Sequence, residues 1–207
     1  MLTLTRSKIL VVGGISLSLV LLVGIAYALD LPPFKKAGDI QASDVCTTLG
    51  SASTTAAALK RVVPEKSSYS FDDSLTDLRL DSSDSTYQTD CVVDGDGEQL
   101  VWAGAELLEY GTTDAWAKEV LGQYDSVSSL APFTAGDEAL ASAKVAAVYL
   151  PCTSQGANRH LSVVVNLKKH NDAGDSTLRD GLITLAKNAA AYAHTKAKCD
   201  APAKLGG

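Results

Sequence analysis

The chain has 207 residues, 46% of them hydrophobic and 20% charged, with 18 Lys and Arg against 24 Asp and Glu and a formal charge of −6. That acidic balance argues against nucleic acid, whose binding rests on cations set against phosphates, and against adhesion to anionic lipid headgroups. No period of tens of residues repeats, so nothing suggests a solenoid.

Residues 1–8, with Arg6 and Lys8, read as a short cytoplasmic N-terminus. Residues 9–29 (ILVVGGISLSLVLLVGIAYAL) are uncharged and close to the ~20 residues that cross a bilayer as a helix. Basic residues before this run and Asp30 after it place the rest of the chain outside. The segment is a retained single-pass anchor in the cell membrane, or a signal cleaved after Ala28, because Ala26-Tyr27-Ala28 fits a small-x-small site. Its length favours retention, since a signal core runs to only about 7 to 15 residues. Residues 30–42 follow as a tether, opened by Leu31-Pro32-Pro33, where proline ends any helix.

Residues 43–199 suffice for one core, with 200–207 as a tail. Ser43 is placed to cap a helical piece through Leu49, Gly50 breaks it, and Ser51 starts a second piece that Pro64 closes. Val45, Leu49, Leu59 and Val62 form its buried stripe. Alternation then predicts strands at Tyr69 and Phe71, at Leu78 and Leu80, and from Tyr87 through Cys91-Val92-Val93. Asp94-Gly95-Asp96-Gly97 ahead of Leu100-Val101-Trp102 is a hairpin signal, because Asp-Gly accepts the positive φ of tight turns. Trp102 and Leu107 are expected in the core.

Thr113 or Asp114 is expected to cap a helix with Trp116, Val120 and Leu121. Val145 to Leu150 and His160 to Leu167 read as antiparallel neighbours across a polar turn at residues 154–158. Thr177 with Asp180 resembles a capping box, and Leu178, Leu182, Leu185 and Ala189 give the last helix one apolar face. This order predicts an α+β domain, an antiparallel sheet with helices packed on it.

All four cysteines, Cys46, Cys91, Cys152 and Cys199, lie beyond the apolar segment, where thiols are oxidised to bridges. Four cysteines allow three pairings. Proximity suggests Cys46 with Cys91 and Cys152 with Cys199, two loops of similar length, each bridge contributing about 2 to 4 kcal/mol. Zinc competes poorly, because no two cysteines are close in sequence.

No motif of catalysis, nucleotide binding or metal ligation stands out, and no cofactor is expected. There is no Gly-x-Ser-x-Gly elbow. His160 and His170 would stand about 33 Å apart on one continuous strand, and His194 belongs to the last helix. Asp94, Asp96 and Glu98 alternate in a glycine-rich turn and, with Asp90, are candidate ligands for a loosely held cation, although strands rather than helices flank this turn. Asp72, Asp73, Asp77, Asp81, Asp84 and the residues just named outweigh Arg79 along this stretch, which reads as solvated hairpin turns in preference to a docking face.

Asp44-Val45-Cys46 opening a helix, Cys91 in a strand before Trp102, Gly136-Asp137-Glu138-Ala139 ahead of a strand pair, and an Ala-rich terminal helix share a layout. Over roughly residues 43–199 it resembles exported or membrane-tethered actinobacterial proteins of unknown function, whose domains are similar to the PsbP-like α/β/α sandwich. The chain departs from their lipoprotein members in having no cysteine directly after its apolar segment. The resemblance implies a fold and a cell-envelope location, and brings no catalytic residues. The expected function is therefore a membrane-tethered binding or interaction module of the envelope, its partner an envelope protein or a small ligand. A small-ligand carrier would show an apolar pocket between sheet and helix. A secreted hydrolase would show a cleft with a serine or carboxylate bonded to His160 or His194.

Overall fold

A computed structural model describes Ile25 and residues 37–81, 84, 86–109, 111–153 and 159–206. The chain divides into two compact units, Met1–Ala37 and Gly38–Gly207. Apart from Ile25, the expected membrane segment 9–29 lies outside the described residues, as does the polar turn at 154–158. Among the described residues no helix is long and apolar enough to cross a membrane.

The second unit is an α+β domain. Its seven strands are β1 (Tyr69–Asp77), β2 (Gln88–Gly95), β3 (Glu98–Glu109), β4 (Ala131–Pro132), β5 (Glu138–Ala141), β6 (Val145–Pro151) and β7 (Arg159–Leu167). They form one antiparallel sheet in the order β1-β2-β3-β7-β6-β5-β4. Three helices pack on it: α1 (Ala52–Val62), α2 (Thr113–Glu119) and α3 (Asp175–Lys196). β6 and β7 lie near the middle of the sheet and are covered on both faces, which is why they read as nearly unbroken apolar runs.

Alternate residues of each strand feed two cores. Val101, Ala103, Leu107, Val148, Leu150, Leu161, Val163 and Val165 meet α1 and α3 in the larger one. Val145, Ala147, Tyr149 and Val164 face the other way and meet Trp116 and Leu121. Trp102 packs against this second cluster, while Leu107 belongs to the first. The two residues expected together in one core thus lie on opposite faces, because they are an odd number of positions apart on one strand.

Local chemistry explains most boundaries. Asp96 (φ 52°) and Gly97 (φ 79°) make the β2–β3 turn with two consecutive positive φ values, as a two-residue hairpin requires. The Asp96 carboxylate also accepts the Ser67 and Ser68 amides, tying the turn to the start of β1. The apolar stripe of α1 and that of α3 are buried as expected, including Leu59, Val62, Leu178, Leu182, Leu185 and Ala189.

Several expectations are corrected. The piece through Leu49 is a single 3₁₀ turn, Thr47–Leu49. Ser43 does not cap it; its hydroxyl turns to Asp44. The Asp73 carboxylate takes that place from β1, accepting the Thr47 amide at 2.7 Å and the Thr48 hydroxyl. Thr112, one residue earlier than expected, caps α2 by accepting the Ala115 amide at 3.3 Å. The last helix begins at Asp175 behind Gly174, with no side-chain cap, so Thr177 and Asp180 lie inside it and form no capping box.

The segment 78–80 is not a strand. Leu78 and Leu80 are 47% and 67% exposed, whereas Arg79 between them is 1% exposed. Its guanidinium donates to the Ala197 carbonyl at 3.1 Å and to the Asp84 carbonyl at 2.9 Å, and lies 3.2 Å from Cys152 Sγ. The buried Ala197 carbonyl takes its side-chain donor from this guanidinium, which also shares the Asp84 carbonyl with Arg159, so the charged residue is drawn in and the alternation inverts.

Both ends of the domain are tied down. Gly38 donates to the Lys66 carbonyl and Ile40 is 2% exposed, so the stretch expected as a tether enters the core before residue 43. In the tail, Gly136 donates to the Lys204 carbonyl and Asp200 to that of Cys152.

Candidate functional site

The cysteines form two disulfides, Cys46–Cys91 and Cys152–Cys199, with Cα separations of 6.0 and 4.4 Å. The first pins the 3₁₀ turn to β2. The second pins the end of β6 to the segment after α3. Two bridges are consistent with a domain outside the cytoplasm.

The four candidate cation ligands are not brought together. Asp90 sits four residues up β2 from Asp94, about 13 Å of strand. Asp96 is engaged with Ser67 and Ser68, and Glu98 bridges Lys66 and Lys169 at 3.0 and 3.1 Å. The lysines hold the Glu98 carboxyl below its ordinary pKa by hydrogen bonding. Among the described residues no group of three His, Cys, Asp or Glu is arranged to hold a metal ion.

The histidines are also dispersed. His170 Nδ1 pairs with the Asn171 carbonyl and His194 Nε2 with that of Ala201. His160 Nε2 lies 3.2 Å from Asp137 Oδ2, and its ring stacks on Tyr149 with centroids 4.3 Å apart. Lys204 holds the other Asp137 oxygen at 2.7 Å. The carboxylate that a hydrolase reading asks for is therefore present. Among the described residues His160 is 7% exposed and lines none of the hollows described below. This group fastens β5, β7 and the tail together.

A different constellation opens on the sheet face that carries α2. Register places Gln88, Glu106 and Ser162 in one row across β2, β3 and β7, and Asp90, Gly104 and Val164 in the next. Gly104 leaves the centre of this grid without a side chain. A Cβ there would stand 2.5 Å from the Trp102 ring, which lies over the glycine. Above the grid, the chain leaving α2 contributes Val120, Gln123 and Tyr124, and Tyr124 stacks on Trp102 at 5.9 Å and 17°. The result is a half-open cleft of about 240 Å³.

Ser162 anchors the inner end. It is 2% exposed and accepts the Trp116 indole N–H at 2.9 Å. Asp90 and Glu106 are diagonal neighbours across β2 and β3, about 7 to 8 Å apart at the backbone. Neither has an ion-pair partner among the described residues. Glu106 remains solvent-accessible, yet partial burial against the cleft wall and, second, the Asp90 charge raise its carboxyl above the ordinary value. Burial, then Glu106 and Asp90, raise the Tyr124 phenol.

Glu106→Gln is expected to keep the fold and raise stability at neutral pH by less than about 1 kcal/mol, the scale of exposed charge pairs. A carboxyl whose folded-state pKa is raised supports folding fully below its ordinary pKa and loses that contribution as pH rises through the folded value. The advantage of the variant should accordingly be greatest at neutral pH and vanish on acidification. Thermal melts of both proteins over the acid-to-neutral range check this, and identical profiles would contradict it.

Two hollows on other parts of the surface, of about 450 and 420 Å³, are more open. In the larger one the cations are already committed. Arg179 donates to the carbonyls of Ala131, Pro132 and Ala141, and Lys144 pairs with Asp125. In the α2-side cleft, Asp90 and Glu106 are diagonal neighbours with no ion-pair partner among the described residues.

Sequence reading named Asp90 but grouped it with the turn, and it passed over Glu106, Gly104 and Tyr124. The available signal was the shared polar phase of Gln88 and Asp90 on β2 with Gly104 and Glu106 on β3. No protein-family model, curated protein or solved structure matches the chain.

Proposed function

We propose that the chain is an extracytoplasmic binding module held at the membrane by its N-terminal segment, and that carriage of a small ligand in the α2-side cleft is its activity. The cleft carries this reading: a preformed hollow walled by Trp102 and Tyr124, with two carboxylates and a buried hydroxyl converging on it. Half of the lining is polar (Gln88, Thr89, Asp90, Glu106, Gln123 and Ser162), so the cleft suits a small polar ligand held beside two aromatic side chains, and not the apolar pocket expected of a carrier of apolar molecules. The two disulfides and the uncharged run 9–29 support the location. A sheet with helices on both faces agrees with the PsbP-like α/β/α resemblance, which we retain as a proposal.

The hydrolase reading draws on the Asp137–His160 pair, which does not line the cleft. Two measurements test the binding reading. Alkaline phosphatase fused to the C-terminus should be active in intact cells, and a mixed fragment collection screened by NMR should perturb Trp102. A silent fusion would remove the location, and a Trp102 signal unmoved by every fragment would remove the cleft.

A further inference from the structure

Resting on that reading of the cleft as a ligand site, we propose that its ligand is a small organic ammonium ion that also carries a hydrogen-bond-accepting oxygen, an amino alcohol being the simplest case. Four observations converge. Among the described residues the lining includes Asp90 and Glu106 and no Lys, Arg or His. An anion entering it would face two like charges, and a neutral apolar molecule would desolvate both carboxylates, of which Asp90 has one donor, the Gln88 amide at 3.2 Å, and Glu106 has none among the described residues. A cation neutralises them, and does so where the protein walls reduce screening by water.

The walls suit an ammonium in particular. Trp102 and Tyr124 both line the cleft, and aromatic rings attract cations through the ring quadrupole. One cation already lies near Tyr124, the Lys168 ammonium at 5.7 Å from the ring centroid, so a ligand ammonium depends on the two carboxylates to offset that repulsion. Organic cations exploit both the aromatic wall and the carboxylates. A hydrated divalent metal would gain little from the aromatic rings, and its six or more oxygen ligands are not supplied by two diagonal carboxylates.

Ser162 specifies the oxygen. Its hydroxyl accepts from the Trp116 indole, and among the described residues no group accepts the proton of this hydroxyl. It is 2% exposed and lines the cleft, so its hydroxyl proton is available to an oxygen of a bound ligand. Ser162 stands directly opposite Glu106 across β3 and β7, with Asp90 on the diagonal. Ammonium and oxygen are therefore received at neighbouring positions, and a cleft of about 240 Å³ limits the ligand to the size of an amino alcohol or amino acid derivative.

The test uses the full chain in detergent, labelled with fluorotryptophan. The sequence has two tryptophans, so Trp102 reports the cleft and Trp116 the neighbouring core. Three probes are titrated: choline; tetramethylammonium, which keeps the charge and lacks the oxygen; and dimethylbutanol, the neutral isostere of choline. Choline should shift the Trp102 resonance saturably, tetramethylammonium more weakly and dimethylbutanol least. Asp90→Asn and Glu106→Gln should each weaken choline about tenfold, the scale of one charge-assisted contact. Tyr124→Leu, which keeps apolar bulk, should weaken the two cations and leave dimethylbutanol unchanged.

Equal binding of choline and dimethylbutanol would overturn the charge requirement while leaving the cleft a ligand site. Calcium chloride that shifts Trp102 when neither ammonium does would overturn the organic cation in favour of a metal. Failure of all three probes, where fragments of other chemistry still shift Trp102, would overturn the ligand class alone; failure of fragments as well would overturn the cleft itself.

Discussion

Replacing Cys152 and Cys199 together by alanine is expected to lower the unfolding free energy by about 4 kcal/mol, and replacing Cys46 and Cys91 by about 3 kcal/mol. The bridges span separations of 47 and 45 residues. Each therefore removes a similar amount of freedom from the unfolded chain, and loop length alone does not rank them. Their surroundings do. Cys46–Cys91 holds one 3₁₀ turn on β2, whereas Cys152 also lies against the Arg79 guanidinium, and its backbone accepts the Asp200 and Ala201 amides. The Cys152–Cys199 variant should lose more. A domain of this size has about 5 to 15 kcal/mol in total, so the fourfold variant should be close to unfolded at ambient temperature. Urea titrations of the parent, the two paired variants and the fourfold variant measure this. An unchanged midpoint after loss of both pairs would show that the bridges are not what braces the fold.

The second large effect is expected at Arg79. Arg79→Met keeps most of the stem and removes the donors, leaving the Ala197 and Asp84 carbonyls without this partner. The loss should be on the order of 3 kcal/mol, because hydrogen bonds to a charged group are lost and the buried Ala197 carbonyl is left without this donor, whereas the Asp84 carbonyl keeps Arg159. Burial, then the neighbouring Arg159, lowers the Arg79 pKa, while Asp200, Asp84 and Asp81 act the other way. The guanidinium stays charged nonetheless, as arginine does throughout proteins. Arg79→Lys should not restore stability, since a point charge does not reproduce a planar fork with several donors. By contrast, Leu80→Ser should fall within about 0.5 kcal/mol of the parent, as exposed positions do. Chemical denaturation of these variants checks the ordering. Leu80→Ser costing more than Arg79→Met would mean that the leucines, and not the arginine, face inward. Combining Arg79→Met with loss of the Cys152–Cys199 bridge should be clearly non-additive, because the two groups touch.

Glu106 and Asp90 illustrate why the cleft was not legible along the chain. Counting back from the two-residue turn at Asp96-Gly97 pairs Gly95 with Glu98 and Asp94 with Gln99, and would set Asp90 opposite Ala103. A bulge between Val93 and Asp94 moves the register by one, so that Asp90 faces Gly104. A shift of one residue changes which side chains share a face. Gly104 is equally silent in isolation. Its role depends on being the middle strand's contribution to a three-strand grid, with Trp102 folded over it.

Where one element's own period decides burial, the amino-acid order alone was sufficient. The hairpin, the paired runs of β6 and β7 and the inward face of α3 follow from local φ preference and repeat, and the structure has each of them; the cysteine pairs that proximity suggested, one of three pairings the sequence allows, are also the ones formed. Tertiary structure decided the rest: the inward turn of Arg79, the sheet register at the Val93–Asp94 bulge, and the meeting of Asp90, Glu106, Tyr124 and Ser162 in one cleft. These depend on groups far apart in the chain, whose demand for hydrogen-bond partners or room is set only once the sheet has brought them together.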